Sequence, residues 1–122
     1  MKEWRGQLLG LNVQAARTDA RGVPKHASIA GVISALSLRE RGWTETDNWD
    51  GDLFAVGIAR ADDPRYVVYV STWQKARGRY YYECETPTGP DVTDYVVTQV
   101  GDDVDFDALR RAIERHLSPQ MS

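Results

Sequence analysis

The 24-residue run PRYVVYVSTWQKARGRYYYECETP, from Pro64 to Pro87, constrains this chain more than any other stretch. Arg65 to Trp73 is dense in Val and Tyr, which suit a pleated, half-buried surface. Arg79 to Glu85 carries three consecutive tyrosines, Tyr80, Tyr81 and Tyr82. Between them, Gln74-Lys75-Ala76-Arg77-Gly78 ends in a glycine that supplies a positive φ, so the run reads as two strands joined by a basic hairpin loop. Side chains alternate faces along a strand. Tyr66, Val68, Val70 and Thr72 therefore share one face, and Arg65, Val67, Tyr69, Ser71 and Trp73 the other. In the second strand Tyr80, Tyr82 and Cys84 share a face. Arg79, Tyr81, Glu83 and Glu85 take the opposite one, which the two carboxylates mark as the wet face.

A chain of 122 residues is expected to form one domain with a core that needs neither disulfide nor metal. Its single cysteine, Cys84, excludes a disulfide framework within the chain and points to a reducing, cytoplasmic compartment. The opening MKEWRGQLLGLNVQAARTDARG has too short an apolar run and too many charges for a signal peptide, and no run is long enough to span a bilayer.

The net charge is only −3, but it is unevenly spread. Residues 1–44 carry net +4, residues 45–109 net −9 and residues 110–122 net +2. From Tyr80 to Leu109 there are eight acidic residues and no Lys or Arg. Such a sector repels nucleic acid and attracts basic partners.

The remaining elements follow from periodicity. Residues 4–16 fit helical and strand spacing about equally; Gly6 and Gly10 weaken a helix, so a strand or irregular arm at the sheet edge is expected. Pro24 to Arg41 predicts a helix with Ile29, Val32, Ile33 and Leu36 on one stripe, ended by Gly42. Trp43 to Asp52, WTETDNWDGD, reads as a loop, with Trp43 against the helix end and Trp49 as a surface anchor. Leu53 to Ala59 is a strand with Phe54, Val56 and Ile58 inward. Thr86 to Asp94 is a loop holding two prolines, and Tyr95 to Val100 a further strand. Asp103 to Leu117 predicts a second helix, N-capped by Asp105 and burying Phe106, Leu109, Ile113 and Leu117. The tail from Ser118 is expected to fray. The fold class is α+β: a four- to five-stranded antiparallel meander with two helices packed on one face.

Signs of catalysis are sparse. The Asp-rich loop fails the calcium-loop pattern, because Trp49 and Gly51 occupy the third and fifth positions counted from Asp47. No zinc, phosphate-loop, dinucleotide or serine-hydrolase motif occurs. Cys84 lies mid-strand between two glutamates, a poor setting for a thiolate nucleophile. His26 and His116 sit near helix termini, far apart in sequence. No catalytic residue, metal or cofactor is expected. Tyr69 and Tyr81 on an open sheet face could stack on bases, but the adjoining acids oppose nucleic-acid binding.

What remains is a protein-binding surface. Aromatic anchors beside carboxylates, at Asp47, Trp49, Asp50, Asp52, Tyr69, Trp73, Tyr81, Glu83 and Glu85, suit a basic protein partner. The order helix, strand, hairpin ending GRYYYECE, strand, helix resembles the small immunity proteins of bacterial polymorphic toxin and contact-dependent growth inhibition systems. That resemblance implies a cytoplasmic, non-enzymatic protein that binds and neutralises one cognate toxin domain; the acidic, aromatic surface suits a basic one, no nucleic acid or membrane partner is expected, and the oligomeric state stays open, a monomer being favoured. A small acidic secretion chaperone, which would dimerise, and a small-ligand-binding α+β domain are the alternative readings.

Overall fold

The computed structural model describes residues 25–46 and 51–118. Within them lie helix α1 (Ala27–Leu36), a 3-10 turn (Leu38–Arg41), strands β1 (Trp43–Thr46), β2 (Ala55–Arg60), β3 (Val67–Ser71), β4 (Tyr80–Pro87) and β5 (Tyr95–Val104), and helix α2 (Phe106–Leu117). Among the described residues the strands form one open antiparallel sheet in the order β1-β2-β3-β4-β5. Each strand pairs with the next in sequence, as short connections favour. The α+β meander read from the sequence is the observed architecture.

The core lies between the sheet and the helices. α1 contributes Ile29, Val32, Ile33 and Leu36; α2 contributes Leu109, Ala112, Ile113 and Leu117. They meet Val56, Ile58, Val68, Val70, Tyr82 and Cys84 from the inward face of β2, β3 and β4. Burying an aliphatic side chain of this kind contributes roughly 1.5–3 kcal/mol, which makes this layer the main source of stability.

Several boundaries differ from the expected ones. α1 stops at Leu36 because Ser37 turns left-handed (φ 51°, ψ 58°), and a 3-10 turn carries the chain on to Gly42 (φ 76°). His26 caps α1: its Nδ1 accepts the Ser28 N–H at 3.1 Å, and its ring stacks on Phe54. Trp43 to Thr46 is not loop but strand β1, paired with β2 from Trp43↔Arg60 to Thr46↔Gly57. Trp43 is buried, with the Arg41 guanidinium 5.2 Å from its ring centre. β4 runs on to Pro87 and β5 to Val104, so Asp103 belongs to the strand rather than to the helix. Asp105 caps α2 as expected, its carboxylate accepting the Ala108 N–H at 2.9 Å. The arm at residues 4–16 and the tail beyond Ser118 lie outside the described residues, and the observed fifth strand is β1.

No described helix is long and apolar enough to cross a membrane.

Candidate partner-binding surface

The register of β3 against β4 sets the surface. Tyr69 faces Glu83 and Ser71 faces Tyr81 across the ladder, so these four share the face turned away from α1 and α2. Tyr69 and Tyr81 meet edge to face at 6.3 Å and 74°. The Tyr81 hydroxyl donates a short hydrogen bond to Glu83 Oε2. That bond, with burial and the neighbouring charges of Glu83 and Asp102, pushes the Tyr81 phenol up to about 12. Tyr69 is raised as well, chiefly by burial, with Asp52 and Glu83 adding to it. Both phenols therefore stay protonated at neutral pH. The result is a half-exposed aromatic pair with the Tyr81 hydroxyl held on the Glu83 carboxylate. On the far side of Tyr81, Lys75 Nζ meets Asp102 Oδ1 at 2.5 Å, and Arg79 Nε meets Asp103 Oδ1 at 3.2 Å.

The expected site residues divide into groups. Tyr69, Tyr81 and Glu83 come together as described. Asp52 acts electrostatically on Tyr69, and its carboxylate is also spent locally, accepting the Phe54 N–H at 3.0 Å. Asp47, Trp49 and Asp50 lie outside the described residues.

Glu85 corrects the sequence reading. The face it shares with Glu83 is not wet along its length: Ala55, Ala59, Val67 and Glu85 on it are all at most 4 % exposed. Glu85 has no cation partner among the described residues, and burial, reinforced by Glu83, raises its carboxyl to about 7. Alternation along β4 placed Glu85 on the right face; it could not show that this end of the face is closed. Glu85 is therefore a buried acid rather than a contact residue.

Trp73 is exposed, with neighbours of its own. It is 58 % exposed, but it packs edge-on against Phe54 at 5.2 Å and lines a different feature. That feature is a groove of about 970 Å³ between α1, the 72–80 loop and the start of α2. Its walls include Gly31, Phe54, Trp73, Arg77, Tyr80 and Phe106. The sequence reading did not anticipate this groove. The signal available was the row Ala27, Gly31 and Ala35 at helical spacing, opposite the buried stripe of α1 and too small to fill the space beside it.

A third feature also escaped the sequence reading. Val92, Tyr95, Val96, Val97 and Val100 are all 42–54 % exposed on and beside edge strand β5. The signal was the uncharged run YVVTQV itself, which lacks the polar alternation of a half-buried strand.

Cys84 is fully buried in the core, where burial pushes its thiol up to about 11. His116 Nε2 lies 2.7 Å from the backbone oxygen of Glu85, and its ring lies edge-on to Tyr66, so it joins α2 to the sheet. Among the described residues no group of three or more His, Cys, Asp or Glu is placed to hold a metal ion. Comparison with protein-family models, with curated proteins and with solved structures finds no match to this chain.

Proposed function

We propose that this protein is a non-enzymatic inhibitor that captures and neutralises a basic protein domain, in the manner of a toxin-immunity protein acting in the cytoplasm. The observation that carries the reading is the Tyr69–Tyr81–Glu83 cluster. Two half-exposed aromatic rings are held rigid by packing and by a hydroxyl–carboxylate bond. They lie in a chain whose segment 45–109 is net −9. Preorganised aromatics lose little entropy on binding, and surrounding acids speed the approach of a basic partner. A basic nuclease-like toxin is the partner class that fits.

The test uses the immobilised protein to capture partners from lysate of the source cells at low and high salt, followed by affinity measurement on the purified partner. Glu83→Lys and Tyr81→Ala should each weaken binding by at least about tenfold, as a truncated hot spot does. Arg111→Glu, on the exposed face of α2, should change it little. Equal losses at all three positions would refute the assignment of this surface.

The groove beside Trp73 supports a second reading, in which the domain holds a small ligand between α1 and the hairpin loop. Failure to capture any protein at either salt, with a small-molecule thermal shift that Trp73→Ala abolishes, would favour it.

A further inference from the structure

β5 has one strand neighbour among the described residues, so its outer edge presents a row of backbone donors and acceptors without a ladder partner. Edge strands are normally blunted by charge, proline or brevity. β5 is ten residues long, and its stretch Tyr95 to Val100 holds neither charge nor proline. Four of the residues in that stretch, Tyr95, Val96, Val97 and Val100, are large hydrophobics 42–54 % exposed. The backbone row selects an extended segment as the occupant, because no other conformation satisfies it.

Charge selects which segment. The run is bracketed by acids at both ends, Asp91 and Asp94 before it, Asp102 and Asp103 after it. Asp102 and Asp103 are paired with Lys75 and Arg79, whereas Asp91 and Asp94 have no cation partner among the described residues. A second copy of β5, paired antiparallel about the centre of the run, would set Asp94 of one copy beside Asp102 of the other, which Lys75 already pairs, so Asp91 and Asp94 would gain no counter-charge. A strand with an apolar middle and basic ends supplies that charge.

We propose that the β5 edge accepts an extended, β-prone segment of a protein partner, uncharged at its centre and flanked by Lys or Arg, as a sixth strand of the sheet. This inference rests on the basic-partner reading above and adds a second contact to it. The two are continuous, since Val100 lies directly across the ladder from Glu83. The register shift between Cys84 and Glu85 puts an extra residue on β5 at Thr98. That bulge lies within the run and twists it, so regular pairing is confined to the few residues on either side.

The probe is the synthetic heptapeptide Lys-Val-Thr-Val-Thr-Val-Lys, compared with a Glu-flanked version and with one N-methylated at alternate residues. Binding is read by NMR shifts and hydrogen exchange of the β5 amides in the full chain. The Lys-flanked peptide should shift and protect amides between Tyr95 and Val100, and should bind at least about tenfold more tightly than the Glu-flanked peptide. The N-methylated peptide should not bind, and a Val97→Lys/Val100→Lys variant should lose the effect while remaining folded. Protection elsewhere, or none, would overturn the proposal. Protection of the β5 amides that grows with protein concentration without peptide would also overturn it, by making a second copy the occupant. Neither result touches the Glu83 dependence of partner capture; loss of that dependence with peptide pairing intact would instead remove the inhibitor reading.

Discussion

Three residues on β4 and β5 carry separable consequences. Glu85 is nearly inaccessible and without a counter-ion among the described residues, and its carboxyl is raised from 4.5 to about 7. A folded-state value above the unfolded one means that protonation favours the folded chain. Its stabilising contribution is complete below about pH 4.5 and is lost as the pH rises through 7. Glu85→Gln should therefore leave stability at pH 4.5 little changed and raise it at pH 8, by roughly 1–2 kcal/mol after allowance for solvent screening. Urea unfolding at the two pH values checks this; an equal effect at both would contradict it. Cys84 is a filler of core volume, so Cys84→Ala should cost about 1 kcal/mol of stability and leave partner binding intact. A folded Cys84→Ala protein that no longer binds would refute that role. At Gly101 a Cβ would stand 2.1 Å from Tyr82 Cε2, because the Tyr82 ring lies across the glycine and its hydroxyl accepts from Gln99 at 3.1 Å. Gly101→Ala must displace that ring and should lower stability by about 1–3 kcal/mol in thermal unfolding.

At the scale of the element, what could be read from the sequence was what local chemistry determines. Alternation placed Val68, Val70, Tyr82 and Cys84 inward, and all four are buried in the core. Asp105 was legible as a cap, and Asp105→Ala should cost about 1 kcal/mol, seen as a lower urea midpoint with unchanged slope. The misplaced boundaries have more than one origin. Trp43-Thr44-Glu45-Thr46 holds three strand formers, but it is only four residues long and runs into an Asp, Asn and Gly stretch, and it becomes β1 by pairing with β2. α1 carries an apolar stripe to Leu36, but Ser37 breaks it with a left-handed turn that no propensity rule demands. The 102–104 segment looked like the approach to a helix, yet it pairs with β4 through a register shift, with Asp103 at φ 56°. In the two strand cases sheet pairing decided the boundary.

Over the whole molecule, the sequence showed the sign and rough position of charge but not which charges remain available. Arg41 meets Glu114 at 2.6 Å, tying the 3-10 turn to α2. Arg110 binds Asp107 and Glu114, and Arg111 binds Asp107, so the α2 charges are largely satisfied along one helix. The Lys75 and Arg79 pairs join the hairpin loop to β5. Among the described residues Glu83 is bonded to the Tyr81 hydroxyl and has no ion-pair partner, and Asp91 and Asp94 have none. The candidate site was legible to the extent that strand parity brings Tyr69, Tyr81 and Glu83 together. It was illegible at Glu85 and Trp73, whose surroundings depend on how distant segments pack. The groove and the apolar edge of β5 were likewise products of packing.

The claim that the Tyr69–Tyr81–Glu83 surface captures a basic protein is tested most directly by the affinity of the Glu83→Lys protein for the partner that the wild-type protein retains. The account predicts a loss of at least about tenfold in affinity and a weaker dependence on salt, with Arg111→Glu unaffected. Unchanged affinity and unchanged salt dependence in a folded Glu83→Lys protein would contradict it.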